Sequence, residues 1–248
     1  HVYYLNDTGG NELGHYVRLP YAGGELQDLS PDLPPYASFG FSLNAAGDLA
    51  AFIAAAGGFK LYVQPLGPGG PLGAPRLLVE SESMLQGPVL SATGDRVVIA
   101  TNERAGGLHS NLVVLDTATG QRLGELWDGP EASVHFHSFP RLPGDPRFLG
   151  VANRTGLERP LVWNTATGEP LVLPASELPG DLYPMDWSDD GQQLLLMHVH
   201  RAQDQLYLYD LASAALTLLE HQAGAHSNVF FGPGGEIFAE WQDAAHPP

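Results

Sequence analysis

Few residues of this chain have the type and spacing that catalysis requires. A hydrolase nucleophile sits in a Gly-x-Ser-x-Gly pentapeptide, and the sequence contains no such pentapeptide. The glycine-rich stretches lack Gly-Lys-Ser or Gly-Lys-Thr, so a phosphate-binding loop is not indicated. There is no cysteine, which excludes disulfides and thiolate metal sites. The sequence therefore predicts no catalytic residue and no cofactor.

The histidines include two close pairs. His135-Phe136-His137 and His198-Val199-His200 each place two imidazoles on one face of a regular strand, because side chains alternate along a strand. Zinc sites need a third ligand from another strand, and the sequence does not identify one. We interpret the pairs as surface or channel-lining residues and predict no metal site. His135 and His137 lie on a predicted inner strand, so this pair is the better candidate for contact with a ligand.

Paired carboxylates could indicate glycosidase chemistry. Asp189-Asp190, however, lies in a turn, where aspartate is a common turn former. Glu236 and Glu240 fall on one side of a predicted strand, which is too little to define a site. Asp186 precedes Trp187 on a predicted inner strand and could face a channel.

A unit of roughly 47 residues recurs along the chain. Each unit has a turn ending in glycine followed by an apolar run, and then an alternating strand closed by a second turn. Aligning the units on Pro20, Pro65, Asp116, Asn164 and Asp210 gives steps of 45, 51, 48 and 46 residues. Short strands and turns at this period are typical of β-propeller blades. The predicted fold is an all-β propeller of four-stranded antiparallel blades in one domain, residues 1–248.

Four units look complete and the two ends do not. The complete blades are predicted at about residues 36–80, 85–128, 133–176 and 181–220. Residues 1–30 supply only the later strands of a blade, and residues 226–248 supply only the first two. The two partial blades could join to close a smaller ring, but that would duplicate the second strand. We expect a fragment of a larger propeller of seven blades.

Charge and hydropathy limit the partners. The 28 acidic residues outnumber the 11 lysines and arginines, giving a formal net charge of −17. Such a surface repels nucleic acid and anionic membranes, so neither is an expected partner. No apolar run approaches the ~20 residues of a membrane helix. The sequence begins without methionine, so a signal peptide cannot be assessed, and cytoplasmic localisation is the expectation.

Three passages resemble the β-propeller of prolyl oligopeptidase-family serine peptidases, closest to the bacterial acylaminoacyl-peptidase and dipeptidyl-peptidase-like branch. Tyr4 to Glu12, followed by His15 to Leu19 and Gly23-Gly24-Glu25, resembles that family's early blade. Tyr183 to Gly191 resembles its Trp-Ser-Pro-Asp-Gly blade opening, with Asp189 where proline is usual. Gln205 to Leu211 resembles its third strand. TolB-type propellers share the blade opening, so the motifs are only moderately specific.

The resemblance implies a function without implying a catalytic residue. In that family a seven-bladed propeller caps an α/β-hydrolase domain, which holds the Ser-Asp-His triad and lies outside this sequence. The implied role is to limit the access of peptide substrates to the hydrolase pocket. His135, His137, Tyr183 and Asp186 would then line the route or the contact between the domains. The alternative is a TolB-like or WD-repeat-like scaffold that binds a protein. A self-contained propeller enzyme is a third possibility, but the sequence shows no convergent site for it.

Overall fold

The structure is a computed structural model that describes residues 1–67, 71–104, 106–107, 109–173 and 178–246. All regular elements in this part are β-strands, and none of it forms a helix suited to cross a membrane. The predicted end of the third complete unit, residues 174–176, lies outside the described residues.

The described strands form six antiparallel sheets, numbered in chain order. Sheet 1 contains β1 (Val2–Asp7), β2 (Gly14–Leu19) and β3 (Gln27–Asp28). Sheet 2 contains β4 (Ala37–Leu43), β5 (Leu49–Ala55), β6 (Phe59–Pro65) and β7 (Arg76–Ser81). Sheet 3 contains β8 (Leu85–Leu90), β9 (Arg96–Thr101), β10 (Asn111–Asp116) and β11 (Arg122–Leu126).

The remaining sheets repeat this order. Sheet 4 contains β12 (Val134–Ser138), β13 (Arg147–Ala152), β14 (Arg159–Asn164) and β15 (Pro170–Val172). Sheet 5 contains β16 (Asp181–Trp187), β17 (Gln193–His200), β18 (Gln203–Asp210) and β19 (Ala215–Leu218). Sheet 6 contains β20 (Ala225–Phe231) and β21 (Ile237–Gln242).

The sheets are arranged as propeller blades. Within each complete sheet, strands pair in chain order, and first strands of consecutive sheets contact one another, as β4 does with β8 and β16 with β20. The first strands are therefore the inner strands around a central channel. The expected all-β propeller, with four complete blades and a partial blade at each end, is confirmed. In the described residues, sheets 1 and 6 are separate sheets, so they do not form the joined blade of a smaller ring.

Apolar residues fill the space between neighbouring sheets. The largest fully buried side chain, Trp163, packs in the cluster between sheets 3 and 4 with Phe148, Leu161 and Leu112. Similar clusters separate the other pairs of sheets. The interior strands of sheets 2 to 5 are apolar on both faces because each of these sheets is covered on both faces by its neighbours.

One buried histidine interrupts this apolar pattern. The strand registers make His226 of β20 equivalent to Leu85, Val134 and Leu182, which are buried at the same place in sheets 3, 4 and 5. Burial lowers the pKa of His226, and the neighbouring His221 lowers it further, whereas Asp204 acts in the opposite direction. Because the pKa of His226 is depressed in the folded state, protonation of this histidine at low pH destabilises the fold.

A pH-dependent gain in stability is expected from His226→Leu. The unfolded histidine has a pKa of about 6.5, and the folded pKa is lower. As the pH falls below that unfolded value, the unfolded state binds the proton first, so wild-type stability declines until the folded pKa is passed. Urea unfolding at pH 7.5 and pH 5 should show the leucine variant's advantage growing at the lower pH. An advantage that stays constant across this range would contradict the prediction.

Candidate functional site

The five inner strands share an irregularity at the same height along the channel. In each one the pairing register with the second strand shifts: between Ser38 and Phe41, Gln86 and Val89, Phe136 and Ser138, Pro184 and Asp186, and Ser227 and Phe230. A bulge of this kind leaves an extra residue and turns the neighbouring side chains. The bulges together form one band of the channel wall, and this band is the candidate site.

Two glycines and a phenylalanine occupy equivalent bulge positions in sheets 2, 3 and 4. Gly40 and Gly87 have φ angles of 134° and 75°, which residues with a side chain rarely adopt. A Cβ on Gly40 would lie 2.9 Å from the Gly87 carbonyl carbon, and one on Gly87 would lie 2.8 Å from the Phe136 ring. The inner strands therefore approach closely at this band. This pair was not predicted from the sequence, although a glycine that recurs after 47 residues in successive inner strands was a usable signal.

An open cleft of about 520 Å³ lies against these glycines. Its wall is largely apolar and comes from β4, β8 and β12. The side chains that form it include Phe39, Phe41, Pro88, Val89, Phe136 and His137. A surface of this composition is suited to contact apolar side chains of a peptide.

His135 and His137 lie at the bulge of β12. Phe136 pairs with Gly150 and Ser138 pairs with Leu149, so His137 is the extra residue and the regular alternation stops there. His135 is exposed, whereas His137 is half-buried with its Nδ1 2.9 Å from Ser138 Oγ. Burial lowers the pKa of His137, and the charge of Asp186 opposes that shift. The two imidazoles thus differ in environment, contrary to the equal placement that a regular strand predicts.

Tyr183 and Asp186 lie on β16, on either side of its bulge. Tyr183 is half-buried, and burial, followed by the charges of Asp181 and Glu158, raises the pKa of its hydroxyl. Both carboxylate oxygens of Asp186 accept backbone hydrogen bonds, Oδ1 from the Trp187 N–H (2.9 Å) and Oδ2 from the Phe231 N–H (3.0 Å). Asp186 therefore ties the inner strand of sheet 5 to that of sheet 6.

The same connection recurs between sheets 2 and 3. The Leu90 N–H donates to Ser42 Oγ at 3.2 Å, and the register makes Ser42 equivalent to Asp186. Between sheets 4 and 5, the Trp187 indole N–H donates to the Ser138 carbonyl at 3.2 Å. Hydrogen bonds between inner strands thus join neighbouring blades near the axis.

Replacing Asp186 by alanine is expected to cost about 1–3 kcal/mol of folding stability, because the buried Phe231 N–H would lose its acceptor. Urea denaturation followed by circular dichroism measures this loss. Asp189→Ala is the control: Asp189 is an exposed residue in the turn after the same strand and should change stability by less than about 0.5 kcal/mol. Equal effects of the two variants would show that the tie between the strands is not stabilising.

The second histidine pair, His198 and His200, lies on β17. His198 Nε2 lies 2.5 Å from the Pro179 carbonyl, and its ring stacks on that of His200 at 6.1 Å. Across the described part of the chain, no three His, Asp or Glu side chains are grouped so as to hold a metal ion.

No protein-family model and no curated protein matches the sequence. Among solved structures, TolB from Acinetobacter baumannii is similar, with a TM-score of 0.62 and 15% identity over 95% of this chain and 56% of TolB. A puromycin hydrolase is similar, with a TM-score of 0.58 and 16% identity over 91% of this chain and 37% of the hydrolase. An acylaminoacyl peptidase from Pyrococcus horikoshii matches with a TM-score of 0.61 and 12% identity, over 94% of this chain and 40% of the peptidase.

The chain has the β-propeller fold found in TolB and in prolyl oligopeptidase-type peptidases. The resemblance predicted from Tyr4 to Glu12, Tyr183 to Gly191 and Gln205 to Leu211 is confirmed as a likeness of fold. The chain spans about half the length of TolB and well under half the length of the two enzymes. TolB and an acylaminoacyl peptidase are thus both among its structural neighbours.

Proposed function

We propose that this chain is the non-catalytic propeller portion of a prolyl oligopeptidase-like serine peptidase. Its partner is an α/β-hydrolase domain of the same parent chain, its substrates are peptides, and its location is the cytoplasm. It binds neither nucleic acid nor membrane. The observation that carries the proposal is the likeness, over more than nine-tenths of this chain, to part of a puromycin hydrolase and of an acylaminoacyl peptidase.

The channel wall supports a role in substrate access. The cleft at the bulges is apolar and faces the axis, where an unfolded peptide would pass on its way to a hydrolase pocket. His135, His137 and Tyr183 are the side chains proposed to border this route. Asp186 is proposed to border the route as well, while its two carboxylate oxygens join the inner strands of sheets 5 and 6.

A first test separates this proposal from the scaffold alternative. The parent gene should encode a hydrolase domain with Gly-x-Ser-x-Gly, and the isolated propeller should not hydrolyse aminoacyl p-nitroanilides. A parent without that domain would favour a TolB-like binding scaffold, for which the similarity to the Acinetobacter protein is the supporting observation. Hydrolysis by the isolated propeller would overturn both.

A second test addresses gating in the full-length peptidase. Tyr183→Ala should raise kcat/KM for a peptide of about 30 residues relative to a dipeptide p-nitroanilide, because removing a channel side chain widens the route. Leu171→Ala is the control, since Leu171 is half-exposed on the outer strand of sheet 4. An unchanged ratio for Tyr183→Ala would exclude gating at this level of the channel.

A further inference from the structure

Sheets 2 and 3 enclose a second cavity, of about 210 Å³, which shares no lining residue with the channel cleft. Both sheets are complete four-stranded blades. The cavity lies between β7, the outer strand of sheet 2, and the face of sheet 3 that packs against sheet 2. Its floor is mostly apolar and more than nine-tenths buried, and it is formed by Leu85, Ile99, Thr101, Val113 and Leu115.

In sheets 4 and 5 an aromatic ring from the third strand lies at the corresponding place. The pairing registers make Leu115 equivalent to Trp163 and Tyr209. Trp163 reaches the outer strand of the preceding sheet, because a Cβ on Gly124 of β11 would lie 3.6 Å from its ring. Leu115 carries no ring, and the cavity lies between it and β7. The cavity therefore corresponds to the place of a third-strand ring in the next two sheets.

The mouth of the cavity carries charged side chains from both sheets. Glu80, Glu103 and Arg122 line it and are exposed. Lys60 Nζ lies 3.2 Å from Glu80 Oε1, and Arg122 Nη1 lies 3.7 Å from Glu103 Oε2. Each carboxylate at the mouth is thus matched by a cation, so the mouth offers no net charge to attract an ion. An ion would also lose its hydration against the apolar floor, which is costly. These features fit a neutral occupant.

The volume of the cavity sets the size of that occupant. A dry cavity of about 150 Å³ lined by aliphatic and aromatic side chains binds benzene. The cavity between sheets 2 and 3, at about 210 Å³, has room for a second fused ring.

We propose that this cavity binds a neutral, planar aromatic molecule of the size of indole. The ring lies between Val79 of β7 and Leu115 of β10, and a polar group on the molecule faces the charged mouth. Burial of the apolar ring against the floor of sheet 3 supplies the affinity. The site lies outside the channel, and the proposal does not depend on the peptidase assignment.

Methyl NMR of the chain gives a local readout of this site. The sequence contains three isoleucines, Ile53, Ile99 and Ile237, so selective labelling of their δ1 methyl groups gives one signal for each. Ile99 lines the cavity, whereas Ile237 lies on β21 in sheet 6. Titration with indole should shift the Ile99 signal saturably, through the ring current of the ligand, and leave the Ile237 signal in place. Absence of a saturable shift at Ile99, or an equal shift at Ile237, would overturn the proposal.

Benzene is the matched smaller probe. It should bind at least about fivefold more weakly than indole in the same titration, because it lacks the second ring that fills the remaining apolar volume. Equal affinity of benzene and indole would overturn the assigned size of the ligand.

Two variants of the protein test where indole binds. Leu115→Trp places an indole ring where Trp163 stands in sheet 4, and it should weaken binding of free indole at least about tenfold. Leu218→Trp is the control: Leu218 is half-exposed on the outer strand of sheet 5, and its replacement should leave affinity within about twofold. Thermal melts confirm that both variants fold. If Leu115→Trp does not fold, Val79→Phe, which narrows the cavity from β7, takes its place. Unchanged binding of indole to the cavity variant would overturn the proposal.

Discussion

Trp163→Ala is expected to lower the free energy of unfolding by about 3–5 kcal/mol, the largest loss of any single substitution considered. Trp163 is fully buried between sheets 3 and 4 and is the largest side chain in that cluster. Its removal leaves a cavity between two sheets whose positions are also fixed by their other neighbours, so the gap cannot close. Urea unfolding followed by far-ultraviolet circular dichroism measures the change.

Trp163→Phe is the informative companion. The indole nitrogen of Trp163 is buried without a hydrogen-bond partner, so phenylalanine removes a donor that is already unsatisfied while keeping most of the apolar volume. We expect this variant to lose less than half as much stability as the alanine variant. Val172→Ala, at an exposed position on the outer strand of the same sheet, should change little. If Trp163→Phe were as damaging as Trp163→Ala, the indole N–H would have a partner, and the assigned packing would be wrong.

Gly87→Ala is expected to have the second largest effect. A left-handed conformation costs a non-glycine residue about 1–2 kcal/mol, and Gly87 has a φ of 75°. The added methyl group would also lie 2.8 Å from the Phe136 ring, so this ring or the inner strands of sheets 3 and 4 must shift. We expect a total loss above about 2 kcal/mol by urea denaturation.

Gly47→Ala separates the cost of a side chain in a left-handed backbone conformation from the cost of a close contact. Gly47 has a similar φ of 67°, but nothing lies within 4 Å of the position of its Cβ. It should therefore show only the conformational cost. Combining Gly87→Ala with Phe136→Ala should recover part of the difference, because the ring that obstructs the methyl group is gone. If the alanine variants of Gly47 and Gly87 lost the same free energy of unfolding, the close approach of the strands at Gly87 would not contribute to the cost of the substitution.

The sequence predicted the blades because their signal is local. Glycine-ended turns and alternating strands are short patterns, and the turns of Asn44, Ser91 and Ser188 close as expected, with Gly47, Gly94 and Gly191 donating back to them. Residues 211–214 form the turn that leads into β19, the outer strand of sheet 5.

The details of the channel wall could not be predicted in the same way. A bulge depends on how two strands pair, so the extra position of His137 and the shift at Pro184 and Asp186 are absent from the sequence of either strand alone. The role of Asp186 depends on the Phe231 N–H, 45 residues away on another blade. The equivalence of His226 to Leu85, Val134 and Leu182 can be recognised only from the pairing registers of the strands.

The turns at residues 117–120 and 165–168, which both read Thr-Ala-Thr-Gly, link neighbouring sheets. Arg96 of sheet 3 donates to Thr165 Oγ1 of sheet 4 at 3.0 Å, and Arg76 of sheet 2 donates to the Thr117 carbonyl of sheet 3. Each of these links reaches only the adjacent sheet. A destabilising change in one sheet therefore affects the adjacent sheets first. An insertion in a loop of a distant sheet should leave these links unchanged.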